Sequence, residues 1–399
     1  MSKWGIRRLN FHGALLQGTF WFGFCTYIAF MVATLMDYGW SASAAAGVMT
    51  VMSVIVLFAN PLSGFISDKY LSEKKTTIAL MVGVAICLFL LPFSLRSGSN
   101  VLVIVNMVGI AISGMQIGGF IDAWIVGLKQ EFPDLNYGVM RGTGSLWFSI
   151  AAQTMGMVTI SLGHDARFWL GGVFILLGII TAVTFRPAKQ ANSHDEKSPS
   201  QLKGKEAFKL IFSSKAYCLL LVLSFFLMLS SMSMGTLMQI VLPEYGGTSA
   251  DIGTAFAIMS GSEVPIMFAV AFLLNQFGFK KLLVFCSAIF VVRMLMSAGA
   301  ETANVLIFVQ ITQGLSFGVL LPISMSYLSQ IIDVRVRSTA ITTFTAVTAS
   351  LTGILGNLIT TALLAWGFTV QNAMVVFAVL SSIGFGLALY GVARKIFTI

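Results

Sequence analysis

Four ionisable residues stand inside long apolar runs: Asp122, Arg141, Glu263 and Arg293. Charged side chains in hydrocarbon cost about 2.5–3.5 kcal/mol each on insertion scales, so those that occur mark solute or ion pathways. They comprise one acid and one base in each half of the chain, and their charges cancel. Asp122 lies seven residues before Lys129, about 10 Å of helix from an aqueous end. Arg141 opens the next apolar run, so the two can approach across a bundle. Such a pair either binds a polar solute or neutralises two buried charges.

Glu263 lies twelve residues from both Asp251 and Asn275, about 18 Å from either end of its run. Its context is Ser260-Gly-Ser-Glu263-Val-Pro265, and a proline beside a glycine kinks a helix and frees carbonyls toward a cavity. A carboxyl at that depth can take up and release a proton, or act as a protonated structural acid. Arg293 is too deep to reach water easily and needs an internal partner. Glu263, on the preceding run, is the expected one, and the two make a candidate proton-coupling pair.

The elements that carry these residues follow from composition. Of 399 residues, 57% are hydrophobic and 10% are charged, against roughly 25% charged in soluble domains. That excludes a soluble domain, a disordered chain and a nucleic-acid binder, despite a formal charge of +9. The expected partners are a lipid bilayer, a small solute and a proton, with the protein acting as a monomer. Cys25, Cys87, Cys218 and Cys286 all lie in apolar runs, and His12, His164 and His194 have no second ligand at metal spacing. Neither a metal nor another cofactor is expected. No Ser-His or paired-Asp arrangement points to an enzyme.

About 20 apolar residues cross the hydrocarbon core as a helix. That ruler predicts twelve spans: 11–35, 43–66, 77–95, 101–128, 142–163 and 168–185, then 217–242, 252–274, 282–300, 303–330, 339–365 and 371–393. The runs show no strand-like alternation, so the expected fold is all-α. The basic residues set orientation. With the N-terminus inside, 21 of the 24 Lys and Arg fall on inner segments, and only Arg96 and Arg167 on outer loops. A multi-pass protein of the plasma (inner) membrane with both termini cytoplasmic is predicted. The hydrophilic stretch 186–215 divides an N-terminal six-helix half, 1–185, from a C-terminal one, 216–399. Equal halves imply duplication into two pseudo-symmetric six-helix bundles.

Short motifs strengthen this reading. Gly64-x-x-x-Asp68-Lys69 followed by Lys74-Lys75 resembles the loop signature of the major facilitator superfamily, with Leu71 and Glu73 departing from it. Tyr137-Gly-Val-Met-Arg141, Val292-Arg293 and Asp333-Val-Arg335 are similar to motifs of the branch holding lactose permease, nucleoside symporters and phenylpropionate-type permeases. The resemblance implies that Asp122 and Arg141 hold substrate. It also implies that Gly64, Asp68 and Lys69 form a gating loop, and that spans four, seven and ten line the cavity. Gln116, Gln239 and Gln313 fall on those spans; an amide both donates and accepts. The branch's stacking Trp lies seven positions after the span-five Arg, where this chain has Phe148, with Trp147 at six. Gln313 and Ser316 stand where the sugar symporter has its proton-coupling His and Glu.

The expected function is therefore secondary active import of a small polar organic solute (a sugar, nucleoside or aromatic acid) by proton symport with alternating access. An efflux antiporter of the same superfamily is the alternative in kind, although span five lacks the proline of the antiporter glycine motif. A transporter-like sensor is the alternative in class.

Overall fold

The computed structural model describes residues 3–186, 204–333 and 335–397, a few side chains apart, that of Asp68 among them. Within them ten helices are long and apolar enough to cross a bilayer: Gly5–Asp37, Ala42–Ser67, Glu73–Arg96, Asn100–Lys129, Tyr137–Thr184, Lys215–Glu244, Ser249–Ala298, Ala303–Ile331, Thr339–Ala365 and Val370–Ala393. Tyr137–Thr184 has 48 residues and Ser249–Ala298 has 50. Each is over 70 Å long at 1.5 Å per residue, more than twice the ~30 Å core. Each is broken once, at Gly163 (φ 83°) and Gly278 (φ 75°), a backbone region in which a Cβ is strained. Each therefore supplies two spans, and ten helices give twelve. No strand occurs among the described residues.

The connectors end and start helices by ordinary capping. Ser41, Ser72, Ser99, Asn136, Thr302 and Thr369 each accept a backbone N–H of the helix that follows. Two expectations need correction. Gly64 and Lys69 do not lie in a loop: with Asp68 they form the last turns of the helix Ala42–Lys69, which ends only at Tyr70. Arg167 is not an outer-loop residue either. The sixth span begins directly after Gly163, so Arg167 lies in helix and is 1% exposed. It donates to Thr159 Oγ1 at 2.9 Å and to Thr34 Oγ1, and its guanidinium lies over the rings of Phe30 and Phe168. Of the hydrophilic stretch 186–215, residues 187–203 lie outside the described set, and Gly204–Ser213 is a short helix leading into span seven.

Four spans are interrupted. Span one breaks between Ile28 and Met31, span four between Ser113 and Ile117, and span ten between Val309 and Thr312. Span eleven carries a π-helical turn, Ala346–Leu351. At membrane depth, non-helical backbone is tolerated only inside protein or along a cavity. In transporters, interrupted spans point to the binding site.

The chain forms two compact units. One comprises Met1–Ala191 with Leu242–Ser260, the other Asn192–Val241 with Gly261–Ile399. In the first, Thr26 of span one packs where a Cβ on Gly171 of span six would sit, and a Cβ on Gly23 would meet Ile175. The start of span eight lies against span five through Gly156 and Gly253. A Cβ on Gly156 would meet the carbonyl oxygen of Ser249 at 2.5 Å, and one on Gly253 would meet that of Ala152. In the second unit, Leu227, Phe290, Tyr327, Phe344 and Phe397 share a buried core, with Tyr327 stacked on Phe279 at 4.0 Å.

Backbone-to-backbone packing has no flexible side chain to yield. Gly253→Val is therefore expected to lower the melting temperature of the detergent-purified protein by at least ~3 °C. Gly386→Ala, whose Cβ meets nothing within 4 Å, is expected to leave it unchanged. Equal melting curves for both variants would show that the Gly253 crossing is not tight.

Candidate functional site

In the first unit, the break in span four starts the half-helix Ile117–Glu131, which carries Asp122. Its carboxylate accepts from Gln17 Nε2 of span one at 2.7 Å, and the Tyr137 phenol lies close to it. Arg141 reaches the same carboxylate only loosely, with Nε at 3.7 Å from Oδ2, and the two side chains keep 35% and 29% of their surface. Gln17 Oε1 in turn accepts from Trp21 Nε1 at 2.8 Å. The indole of Trp21 lies under the Arg141 guanidinium, 4.6 Å from its carbon, at cation–π range.

The sequence dictates why Trp21 sits there. Gln17 and Trp21 are four residues apart, one above the other on a helix face. The indole needs a slot between spans four and five, and two glycines provide it. A Cβ on Gly144 would meet Trp21 Cδ1 at 2.5 Å, and one on Gly118 would meet Cζ2 at 3.2 Å. The result is an acid, a guanidinium, an amide, a phenol and an indole converging on one partly open place. That set can hold hydroxyl groups on its charged pair and rest an apolar ring face on its aromatic.

In the second unit the polar residues form a chain. Arg293, 1% exposed, donates through Nη1 to Gln313 Oε1 and through Nη2 to Gln310 Oε1 at 2.8 Å. Gln313 Nε2 then donates to Glu263 Oε1 at 2.9 Å. The direct Glu263–Arg293 contact expected from sequence is thus replaced by an amide bridge. Gln310 lies in the break of span ten, and Gln313 opens the helix that follows. Close approach of spans eight and ten makes the bridge short enough: a Cβ on Gly314 would collide with the Ser262 carbonyl, and Gly314 N–H donates to Ser262 Oγ at 3.0 Å.

The other expected residues divide. Phe148 packs near Trp21, with centroids 6.4 Å apart, and so borders the first cluster. Trp147 turns away, against Phe22 and Phe174, where Gly18 leaves it room. Gln116 lies at the break of span four, its Nε2 donating to Ile112 O at 2.5 Å and Ser63 Oγ at 3.3 Å. Gln239 is buried and donates to Gly235 O of its own helix. Lys69 lies at the helix end with its ammonium 5.3 Å from the Phe65 ring and 5.2 Å from that of Tyr70. Trp21 and Tyr137 are the residues missed as site candidates. The readable signal was the Gln17–Trp21 spacing opposite Gly118 and Gly144. Among the described residues no three His, Cys, Asp or Glu side chains gather as for a metal.

Outside the spans, Asp333 is gripped by Arg335 at 2.7–3.2 Å through two guanidinium nitrogens. These hydrogen bonds hold its carboxyl down, to about 2. That connector keeps one charge state across physiological pH, so it is no place for proton exchange.

If Gln313 carries the interaction between Glu263 and Arg293, the two are coupled without touching. Glu263→Gln and Arg293→Met are then expected to shift the melting temperature non-additively, with a coupling of about 1 kcal/mol. Gln313→Leu is expected to remove the coupling. Additive shifts in the Gln313 protein would deny the amide this role.

Comparison with known proteins agrees with this architecture. Residues 16–387 match the model of the MFS_1 like family. The maltose permease of Geobacillus stearothermophilus is 26% identical over 348 residues, covering 86% of this chain and 85% of that protein. The uncharacterized transporter YwbF of Bacillus subtilis (strain 168) is 23% identical over 400 residues, covering 98% and 95%. Among solved structures, a variant of the nucleoside transporter NupG superposes with a TM-score of 0.78 at 17% identity, covering 95% of this chain and 99% of that one. The chain belongs to the MFS_1-like family and is a multi-pass transporter of the major facilitator superfamily.

Proposed function

We propose that this protein is a proton-driven symporter that imports a small hydroxylated solute, a sugar first among the candidates, across a bacterial plasma membrane. The observation that carries the reading is the loose Asp122–Arg141 pair, 3.7 Å apart and about one-third exposed, beside Trp21. A structural ion pair at this depth would close to bidentate contact, because desolvated charges need their valences filled. This pair leaves hydrogen-bonding capacity for a ligand. Alternating hydroxyls suit an acid beside a guanidinium, and the CH face of a sugar ring suits an indole. The likeness to a maltose permease supports a sugar over a nucleoside or an aromatic acid.

Glu263 is the proposed proton carrier. Its partner Gln313 donates an amide N–H to it, a hydrogen bond that a carboxyl oxygen accepts in either protonation state. Arg293 behind it keeps its charge, since both its partners are amide oxygens, and so favours release of the proton once the solute has left. Gln239 is proposed to reach the solute from span seven, and Gly64, Asp68 and Lys69 to act at a helix end in gating. The termini are proposed to face the cytoplasm, as the basic residues direct, with the protein working as a monomer.

The test is transport in proteoliposomes with maltose, a nucleoside and phenylpropionate, after a thermal-stability screen of the same three. Wild-type protein is expected to accumulate maltose when an inward proton gradient is imposed. Glu263→Gln is expected to keep counterflow yet lose gradient-driven accumulation. Asp122→Asn and Arg141→Gln are each expected to weaken affinity about ten-fold or more. Solute-stimulated proton movement in the opposite direction would mean an antiporter, and binding without exchange would mean a sensor. Full affinity in both Asp122 and Arg141 variants would remove the site from this place.

A further inference from the structure

The last stretch of the central connector carries a face that neither polar cluster uses. Gly204–Ser213 is a helix of ten residues, and a helix that short is marginal in water unless one face is buried. At about 100° per residue, Leu210, Ile211, Phe208 and Phe212 fall on one apolar arc, and Glu206, Lys209 and Ser213 on the opposite one. The middle of the apolar arc packs on the protein: Ile211 is 1% exposed and belongs to the buried core of the second unit. The edges of the arc stay bare. Leu210 is exposed on one side. On the other, the rings of Phe208 and Phe212, stacked at 5.9 Å, are 49% and 44% exposed.

Position narrows what covers the phenylalanine edge. Only Ser214 separates this helix from span seven, and its hydroxyl accepts the Tyr217 N–H to start that span. Phe208 therefore lies within about 9 Å of helix from the start of a membrane span, close to the ~5–8 Å depth of one headgroup layer. The outward face of span seven runs through Lys215, Cys218 and Val222. Phe212 joins that face, because Cys218 Sγ donates to Phe212 O at 3.3 Å. The bare rings thus continue a stripe that faces lipid. Charge agrees with this position: the stretch from Lys203 to Lys215 holds four lysines against one acid, Glu206. Lys209 is exposed, one step around the helix from Phe208. Phenylalanine flanked by lysine, on a helix at the membrane surface, fits an anionic lipid surface.

We propose that Gly204–Ser213 is a lipid-binding helix whose partner is the anionic phospholipid of the membrane surface beside span seven. Phe208 and Phe212 enter the boundary between headgroups and acyl chains, and Lys209 meets lipid phosphates. Ile211, fixed in the core, keeps the helix from rolling its rings away from the bilayer. The end of the central connector is thereby tied to the membrane, more firmly where the lipid is anionic. Each lysine near such a surface contributes about five-fold in binding. The assignment stands apart from the solute and proton readings and survives the failure of either.

The experiment follows amide hydrogen exchange across Gly204–Ser213 in the full chain, held in nanodiscs of two compositions. One is phosphatidylcholine alone, the other equal parts phosphatidylcholine and phosphatidylglycerol. A released helix of this length frays, so exchange reports attachment. Wild type is expected to exchange at least about ten-fold more slowly with phosphatidylglycerol present. Changing both rings, Phe208→Ser with Phe212→Ser, is expected to abolish the protection in both membranes. Lys209→Gln is expected to cut the difference between the membranes about five-fold. This exposed substitution breaks no packing and keeps the test decisive should the double variant misfold, which exchange across Ala303–Ile331 would reveal. Equal wild-type exchange in the two membranes overturns the proposal. So does a folded double variant protected like wild type, since another part of the chain would then cover that face.

Discussion

Everything polar in this molecule answers to one constraint: a hydrogen-bonding group in hydrocarbon must be met from within the protein. The arginines show it most plainly. Arg293 is met by two amide oxygens, and Arg167 by two threonine hydroxyls and two aromatic faces. Neither is neutralised by a bonded carboxylate. Neutral dipoles satisfy the guanidinium's donors while leaving its charge in place, and that charge then acts on what lies beyond the dipoles. For Arg293, what lies beyond is Glu263, one amide away.

The same constraint explains which parts of the structure were legible in sequence. The spans were, because length and apolarity are composition along the chain, and each predicted span has its helix. Arg293 and Glu263 were legible as buried charges that need help. Their bridge was not: Gln313 was one of many span amides, and nothing in a one-dimensional pattern says which amide falls between two particular side chains. Arg167 was misplaced for a related reason. A single glycine in the left-handed region turns the chain at Gly163 with almost no loop, so a residue four positions on is already deep in packing. Hydropathy windows blur a one-residue break into a longer connector.

Trp21 failed to stand out for the opposite reason. It sits in an aromatic-rich stretch, Phe20-Trp21-Phe22-Gly-Phe24, where lipid contact is the ordinary expectation. What singles it out is on other helices. Gly118 and Gly144, from spans four and five, lack the atoms that would occupy the indole's place, and Gln17 holds its N–H. A glycine's meaning lies in what approaches it. Gly64 and Gly386 have open space where a Cβ would go, whereas Gly144 and Gly253 do not, and the four look alike in sequence.

The two polar clusters differ in a way that follows from what each would handle. A solute must enter and leave with its hydration replaced by protein, so its site needs exposed valences and an aromatic surface. The Asp122–Arg141–Trp21 cluster, partly open and loosely paired, has both. A proton needs no room. It needs a carboxyl, a partner that stays hydrogen-bonded to both of its protonation states, and a nearby charge that biases the choice. Glu263, Gln313 and the fully buried Arg293 provide those three in one hydrogen-bonded line. Placing both tasks on a single acid–base pair would demand that the pair be open for the solute and closed for the proton. In the proposed symport, one pair per unit leaves each free to meet its own requirement, which would give a physical sense to the one-acid, one-base balance in each half of the chain.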